Sequence, residues 1–216
     1  MGEVVAEVSI SLDGYVAGPH PSLEEPLGKD GEKLHEWVVR LKTFKDLHGM
    51  EGGGDVDADD EVFAEYVHAQ GAVVMGRKMF SGGEGPWEDD PKASGWWGDE
   101  PPFHKPVFVV THHEREPLVL GETTFTFVTD GVAAAVEQAR AVVPADRNVL
   151  IAGGADTIDQ ALAAGLVDEL QLHIAPVLLG GGTRLFEGLG AERPRLELAA
   201  VRESPHVSHL RYRVSS

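Results

Sequence analysis

The sequence predicts an α/β fold: a mixed, mainly parallel central sheet flanked by helices, with an antiparallel edge. Three observations carry this. Residues 73–75, 107–110 and 149–151 are short unbroken apolar runs of the kind that parallel strands show when both faces are covered. Strand-like and helix-like segments alternate through the first two thirds of the chain. The last third ends in two strand-like runs, 195–202 and 207–214, that read as a closing antiparallel pair.

Residues 3–12 open the chain as a strand of alternating small and β-branched residues, broken by Asp13-Gly14. A loop through Gly18-Pro19-His20-Pro21 follows. Leu34, Trp37, Val38 and Leu41 then recur at helical spacing and predict a helix over about 31–42. A Gly- and Asp-rich loop, 49–60, leads to a helix faced by Val62, Phe63, Tyr66 and Val67. That helix takes Asp59 or Asp60 as N-cap and Gly71 as its stop. The strand over 72–75 runs into Gly76 and a short helix, 77–80. Residues 81–106 are rich in Gly, Pro, Asp and Trp, and such length without structure points to a functional loop or lid. Strands at 107–110, 124–129, 148–151 and 169–177 and helices at 132–142 and 157–164 complete the pattern, with a Gly180-Gly181-Gly182 turn.

Composition narrows the function classes. The 216 residues are 42% hydrophobic, enough for one substantial core, and show no linker or internal repeat, so one domain over 1–216 is expected. The charge is 18 − 36 = −18, which repels nucleic acid and anionic lipid. An anionic ligand therefore needs a local concentration of basic and backbone N–H groups. The chain has no cysteine, which removes disulfides and thiolate chemistry. No apolar run approaches the roughly 20 residues of a membrane span, and the N-terminus lacks signal-peptide character, so a cytoplasmic protein is expected.

Three strand ends carry the chemistry. Met75 runs into Gly76-Arg77-Lys78, Val110 into Thr111-His112-His113, and Ile151 into Ala152-Gly153-Gly154-Ala155. Ligands of open α/β sheets bind beyond the carboxyl ends of parallel strands. Glycines there admit a phosphate to the backbone, and a following helix presents unpaired N–H groups. Arg77 is a bidentate partner for a phosphate. Each turn alone is also an ordinary strand-to-helix connection, and the G-x-G-x-x-G pattern is absent, so the reading rests on the three together.

Together they resemble a family, the dihydrofolate-reductase-like reductases that include the C-terminal domain of bifunctional riboflavin-biosynthesis proteins. The resemblance lies in residues 11–18, 73–80, 106–111, 151–157, 165–170 and 175–182, in order along nearly the whole chain. It implies NADPH bound across the strand ends and a homodimer. It puts Gly76, Arg77 and Lys78 at the adenosine 2′-phosphate and pyrophosphate, and Thr111, His112 and His113 at a second phosphate-side turn. It puts Gly153, Gly154, Ala155 and Thr157 at the pyrophosphate-side helix start, and Val16 and Ala17 against the nicotinamide. Where the riboflavin-pathway reductases carry an acidic residue two positions before the first glycine of the third turn, this chain has Ile151. Where they grip a ribose phosphate with basic residues, it has the Trp- and Asp-rich stretch 87–100.

Hydride transfer draws its chemistry from the cofactor and asks the protein for orientation and often a proton donor. Asp13 and Tyr15, just past the first strand, are the candidate donors. Asp13 is equally a turn residue before Gly14. Trp87, Trp97 and Phe103 form a candidate wall for a planar substrate, or else anchor the loop or a dimer interface. No metal is expected. Asp55-Val56-Asp57-Ala58-Asp59 lacks the Gly and the closing Glu of a calcium loop, and the adjacent His112 and His113 diverge on an extended chain. The expectation is an NADPH-dependent reductase of a small planar heterocycle. The riboflavin-pathway 5-amino-6-(5-phosphoribosylamino)uracil reductase and a non-catalytic dimeric nucleotide-binding module are the alternatives.

Overall fold

The structure, a computed structural model, describes residues 2–190 and 193–215. The first strand, β1 (Val4–Ser11), is buried along almost its whole length because it is paired on both edges and covered on both faces. After it comes a three-residue strand, β2 (Tyr15–Ala17). The helix expected over 31–42 is three pieces: a 3-10 turn (Gly31–His35), α1 (Glu36–Val39) and α2 (Lys42–Leu47). Leu41 is the reason. Its backbone is extended, with ψ 148°, and it bridges to Asp55. The apolar spacing still reports burial correctly, since Leu34, Trp37, Val38 and Leu41 are all in the core.

Helix α3 (Ala58–Ala69) is capped by Asp57, whose side chain accepts from the N–H groups of Asp59 and Asp60, the two residues expected to do the capping. Gly71 does not stop this helix. It lies inside β3 (Gln70–Gly76), where Val143 and Arg147 occupy the space of a side chain. Then follow α4 (Arg77–Ser81), β4 (Pro106–Val110), β5 (Leu118–Leu120), β6 (Thr123–Val128) and α5 (Gly131–Val142). The chain continues through β7 (Asn148–Gly153), α6 (Ala155–Ala163), β8 (Glu169–Ala175), the short β9 (Thr183–Arg184), β10 (Arg195–Glu203) and β11 (Ser208–Ser215).

Among the described residues, nine strands form one sheet in the order β10-β11-β8-β1-β7-β3-β4-β6-β5. The pairs from β8 through β6 are parallel. The expected closing pair β10–β11 adds antiparallel to β8, and the unexpected β5 makes the opposite edge antiparallel too. A second small sheet joins β2 to β9.

Strand alternation divides the core. Val4, Ala6, Val74 and Ile151 face α5 and α6, packing with Ala135, Val136, Ile158 and Leu162. Val73, Met75, Val107, Val109 and Leu150 face the other way, against Phe80 and Phe125. A third cluster joins Trp37 and Val38 of α1 to Leu41, to Phe63 of α3 and to Val207.

Phe80 is fully buried and meets the rings of Trp87, Phe125 and Phe127 edge-on. Phe80→Ala should cost about 3–5 kcal/mol in urea denaturation. Val119→Ala, at a 64% exposed edge position, should change stability by less than about 0.5 kcal/mol in the same measurement.

Candidate functional site

Strands β7, β3 and β4 are neighbours, so their three carboxyl ends lie side by side. The first and third turns touch. A Cβ on Gly76 would stand 2.6 Å from Thr157 Oγ1 and 3.7 Å from Gly154 N. Gly154 is the N-cap of α6 and faces open space, while Ala155 and Thr157 are buried beneath it. The peptide joining Gly153 to Gly154 is cis. The first N–H groups of a helix have no partner within it, so this end of α6 offers donors to an anion. In the second turn Thr111 is buried, and its Oγ1 accepts from the N–H of His113 at 3.2 Å. His112 is exposed and His113 half-buried.

Arg77 departs from expectation. The guanidinium does not project as a free fork. It is buried, stacked 3.1 Å from the ring centre of Trp87, with Nε donating to Ser81 Oγ at 3.0 Å and Nη2 donating to Asp90. Its side chain turns inward because α4 begins immediately after β3 and the 87–90 segment folds back to meet it. Burial raises the carboxyl of Asp90, but hydrogen bonds from Ser81, the Lys92 N–H and Arg77 outweigh it and hold Asp90 below the usual range. The exposed cation of the first turn is Lys78, paired with Glu84. Arg115 was missed at the sequence level. It lies over Trp87 and Phe127 and donates to the carbonyl of Ala93, beside an open cleft lined by Glu114, Glu116 and Thr129. The signal available was a basic residue two positions past the His-His pair.

Asp13 is a poor proton donor. Its carboxylate accepts from Ser11 Oγ at 2.6 Å and from the N–H groups of Leu179 and Gly180 at 3.1 and 2.7 Å. With the Ser11 hydroxyl as the largest cause, its pKa falls to about 2. The residue staples the glycine turn after β8 to the end of β1. Tyr15 is half-buried under the Arg184 guanidinium, 4.4 Å from the ring centre, and β2 sets Val16 and Ala17 beside it.

The aromatic residues of the middle segment do not form an open wall. Trp87 meets Phe80 and Phe127 edge-on, and its Nε1 donates to the carbonyl of His113 at 2.9 Å. Trp97 packs edge-on against Phe103, which packs on Phe125. They anchor a loop to the core that Met75, Val107 and Phe80 began.

The family model of the RibD C-terminal domain matches residues 3–210. The chain belongs to the RibD C-terminal domain family. A Bacillus subtilis relative, the uncharacterized protein YyaP, is 24% identical over 186 residues, 85% of this chain and 79% of its own. A putative riboflavin biosynthesis protein from a Shewanella species superimposes with a TM-score of 0.61 at 20% identity, covering 99% of both chains. A Thermotoga maritima diaminohydroxyphosphoribosylaminopyrimidine deaminase/5-amino-6-(5-phosphoribosylamino)uracil reductase gives 0.59 at 14% identity, covering 99% of this chain and 56% of that one. These structures share the mixed, mainly parallel sheet described above.

Asp90→Ala should lower stability by about 3–5 kcal/mol in urea, because it strands the Arg77 charge in the core. The Asp13 carboxyl should titrate in carbon-13 NMR near pH 2. Its folded value lies below the ordinary 3.8, so its stabilising contribution is complete above about 3.8 and is lost as pH falls toward 2.

Proposed function

We propose that this chain is an NADPH-dependent reductase of a small planar heterocycle. The observation that carries the reading is the meeting of three turns at adjacent strand ends. Gly76 has a hydroxyl where a side chain would be, and Gly154 opens the start of α6 to a ligand. Such a cradle fits the pyrophosphate of a dinucleotide. Gly153, Gly154, Ala155 and Thr157 would hold it from one side, and Gly76, Thr111, His112 and His113 from the other. Lys78, paired with Glu84, and Arg115, flanked by Glu114 and Glu116, would supply the positive charge that a phosphate needs in a protein of net charge −18. In this reading Arg77 acts through its neighbours: paired to Asp90 and stacked on Trp87, it fixes the first turn.

When bound, the cofactor supplies a hydride. Val16 and Ala17 on β2 would border its nicotinamide, Asp13 would hold the glycine turn in place, and Tyr15 stays a candidate to orient the substrate. Trp87, Trp97 and Phe103 serve this site from below, as the floor of the loop. The uracil-reductase reaction named for the Thermotoga protein is less favoured, because Ile151 is fully buried at the position where the resemblance to the riboflavin-pathway reductases implies an acid. The same reading takes the chain as a cytoplasmic single domain over 1–216 that works as a homodimer. The exposed Leu196, Leu198 and Val201 of the edge strand β10 favour a second copy there. No helix among the described residues is long and apolar enough to cross a membrane.

A fluorescence titration should show tighter binding of NADPH than of NADH. Gly154→Ala has allowed backbone geometry and meets no protein atom within 4 Å. It should leave the melting temperature unchanged and weaken NADPH at least tenfold, about 1.4 kcal/mol. Equal affinity for the two cofactors, or no binding, overturns the reading, and binding without turnover favours the nucleotide-binding module.

A further inference from the structure

The carboxyl ends of β7 and β3 carry the turns, and their amino ends border a cavity of about 100 Å³. The cavity lies between α3 and the sheet. Val62, Glu65, Tyr66 and Ala69 line it from the helix at i, i+3, i+4 and i+7, which is one helix face. Its floor is Val5 and Leu150, which lie opposite one another on β1 and β7. Room remains because Ala69 faces it from α3 and Ala200 from β10, just past the bulge in that strand. Glu65 and Arg202, both exposed and paired at 3.1 Å, stand at its mouth.

Polar groups flank the floor on two sides, and the strand register puts them there. Past Leu150 come Asn148 and Gln70, opposite one another on β7 and β3. Past Val5 come Glu169 and Gln171 of β8, with Arg211 of β11 opposite Gln171. Gln70 Oε1 accepts from Lys105 Nζ at 3.5 Å, and Asn148 Oδ1 accepts from the Glu3 N–H at 3.1 Å. Gln70 is also hydrogen-bonded to Tyr66. With both amide oxygens engaged, each NH2 keeps a hydrogen to donate. On the other side Arg211 Nη1 stands 3.8 Å from Glu169 Oε1, beyond hydrogen-bond length, so both groups keep capacity. Burial, the largest cause, pushes the Glu169 carboxyl up. His209 closes the β11 side with no free nitrogen. Its Nδ1 lies 2.6 Å from His173 Nδ1 and its Nε2 3.1 Å from Asp59 Oδ1. His173 Nε2 in turn lies 2.6 Å from Glu7 Oε1, and this buried line from Glu7 to Asp59 gives the cavity a wall.

Apolar surface above and below, with hydrogen-bonding groups along the edges, is the environment of a flat ring. The edge groups set its chemistry. Donors predominate, in the NH2 groups of Asn148 and Gln70 and in Arg211, and they call for ring carbonyls. Glu169 is an acceptor and calls for a ring N–H, while Gln171 serves either. We propose that this slot is a second ligand site, which takes a single-ring imide: a six-membered ring with a carbonyl on each side of an N–H, as in a pyrimidinedione. The proposal stands independently of the reductase reading.

Volume sets the size of the ligand. The cavity holds more than three waters at about 30 Å³ each, and less than the roughly 150 Å³ of an apolar cavity that encloses benzene. One small ring enters with its outer edge at the mouth, and a two-ring pteridine or adenine does not. Gln70 precedes Gly76, and Asn148 precedes Gly154, by about 20 Å of strand at roughly 3.3 Å per residue. A ring in the slot therefore lies apart from the strand-end turns. It ties α3 to β7 and β8, so its binding stabilises the folded chain.

Proton–nitrogen NMR of the full-length protein tests the site, with uracil as the probe. Uracil should shift the side-chain amide signals of Gln70, Asn148 and Gln171 saturably, with Kd of about 1 mM. It should also raise the melting temperature. Saturating NADPH should leave those shifts unchanged. N,N′-dimethyluracil keeps the ring and its carbonyls, lacks the N–H, and should bind about tenfold more weakly. Gln171→Leu should weaken uracil by a similar factor and leave the NADPH affinity as it is. Where that variant fails to fold, the comparison of the two uracils on the wild type decides. Unmoved amides at about ten times the expected Kd overturn the proposal and leave a cavity that takes water only. Equal affinity for the two uracils, or shifts confined to the Gly76 and Gly154 amides, also overturns it. So does pterin, if it shifts the three side-chain amides as uracil does.

Discussion

The approach of β3 to α6 is the contact on which the rest of the candidate site depends. The Thr157 hydroxyl occupies the volume in which any side chain at position 76 would begin. Because Gly76 yields that volume, the end of β3 lies close to the start of α6, with Met75 opposite Gly153 of β7. Thr111 then falls into line through β4, whose register with β3 runs to Gly76 opposite Val110. A larger residue at 76 would push α6 away and separate the two turns.

The architecture was legible because burial and periodicity agree in its centre. Residues 73–75, 107–110 and 149–151 are apolar on both faces because both faces are covered, and their shortness between turn residues separates them from helices. The edges were harder. Three residues at β5 and two at β9 carry no periodicity, and their pairing is decided by partners far away in the chain. The broken helix before residue 42 shows the limit of a 3.6-residue pattern. It reports which side chains are inside, and a single extended residue at Leu41 interrupts the backbone without disturbing that report.

The site was legible as a set of turns and illegible as a set of side-chain directions. Glycine positions carry over from sequence to structure because they describe the backbone. Arg77 does not, because its direction depends on Asp90 and Trp87, which a reader of the local motif has no reason to connect with it. Trp87, Trp97 and Phe103 stood out as aromatics in a polar segment, but the Phe80–Phe125 cluster that receives them is assembled from distant strands. The line from Glu7 to Asp59 was invisible for the same reason. Its members come from three strands and a helix, and each alone reads as an isolated polar residue in an apolar stretch.

The pin at Asp90 has a bearing on how this chain tolerates change. Asp90 ties the middle segment to Arg77 and Ser81, and the segment is secured again where Phe103 meets Phe125. Between the two moorings, residues 91–94 and 98–100 are mostly exposed. Lengthening a surface loop costs little entropy once its ends are fixed. Insertions and deletions in these stretches should therefore accumulate during divergence, while Arg77, Ser81, Trp87 and Asp90 change only as a group. The surface beside the strand-end turns is thus free to vary in shape from one homologue to the next without loosening the turns themselves.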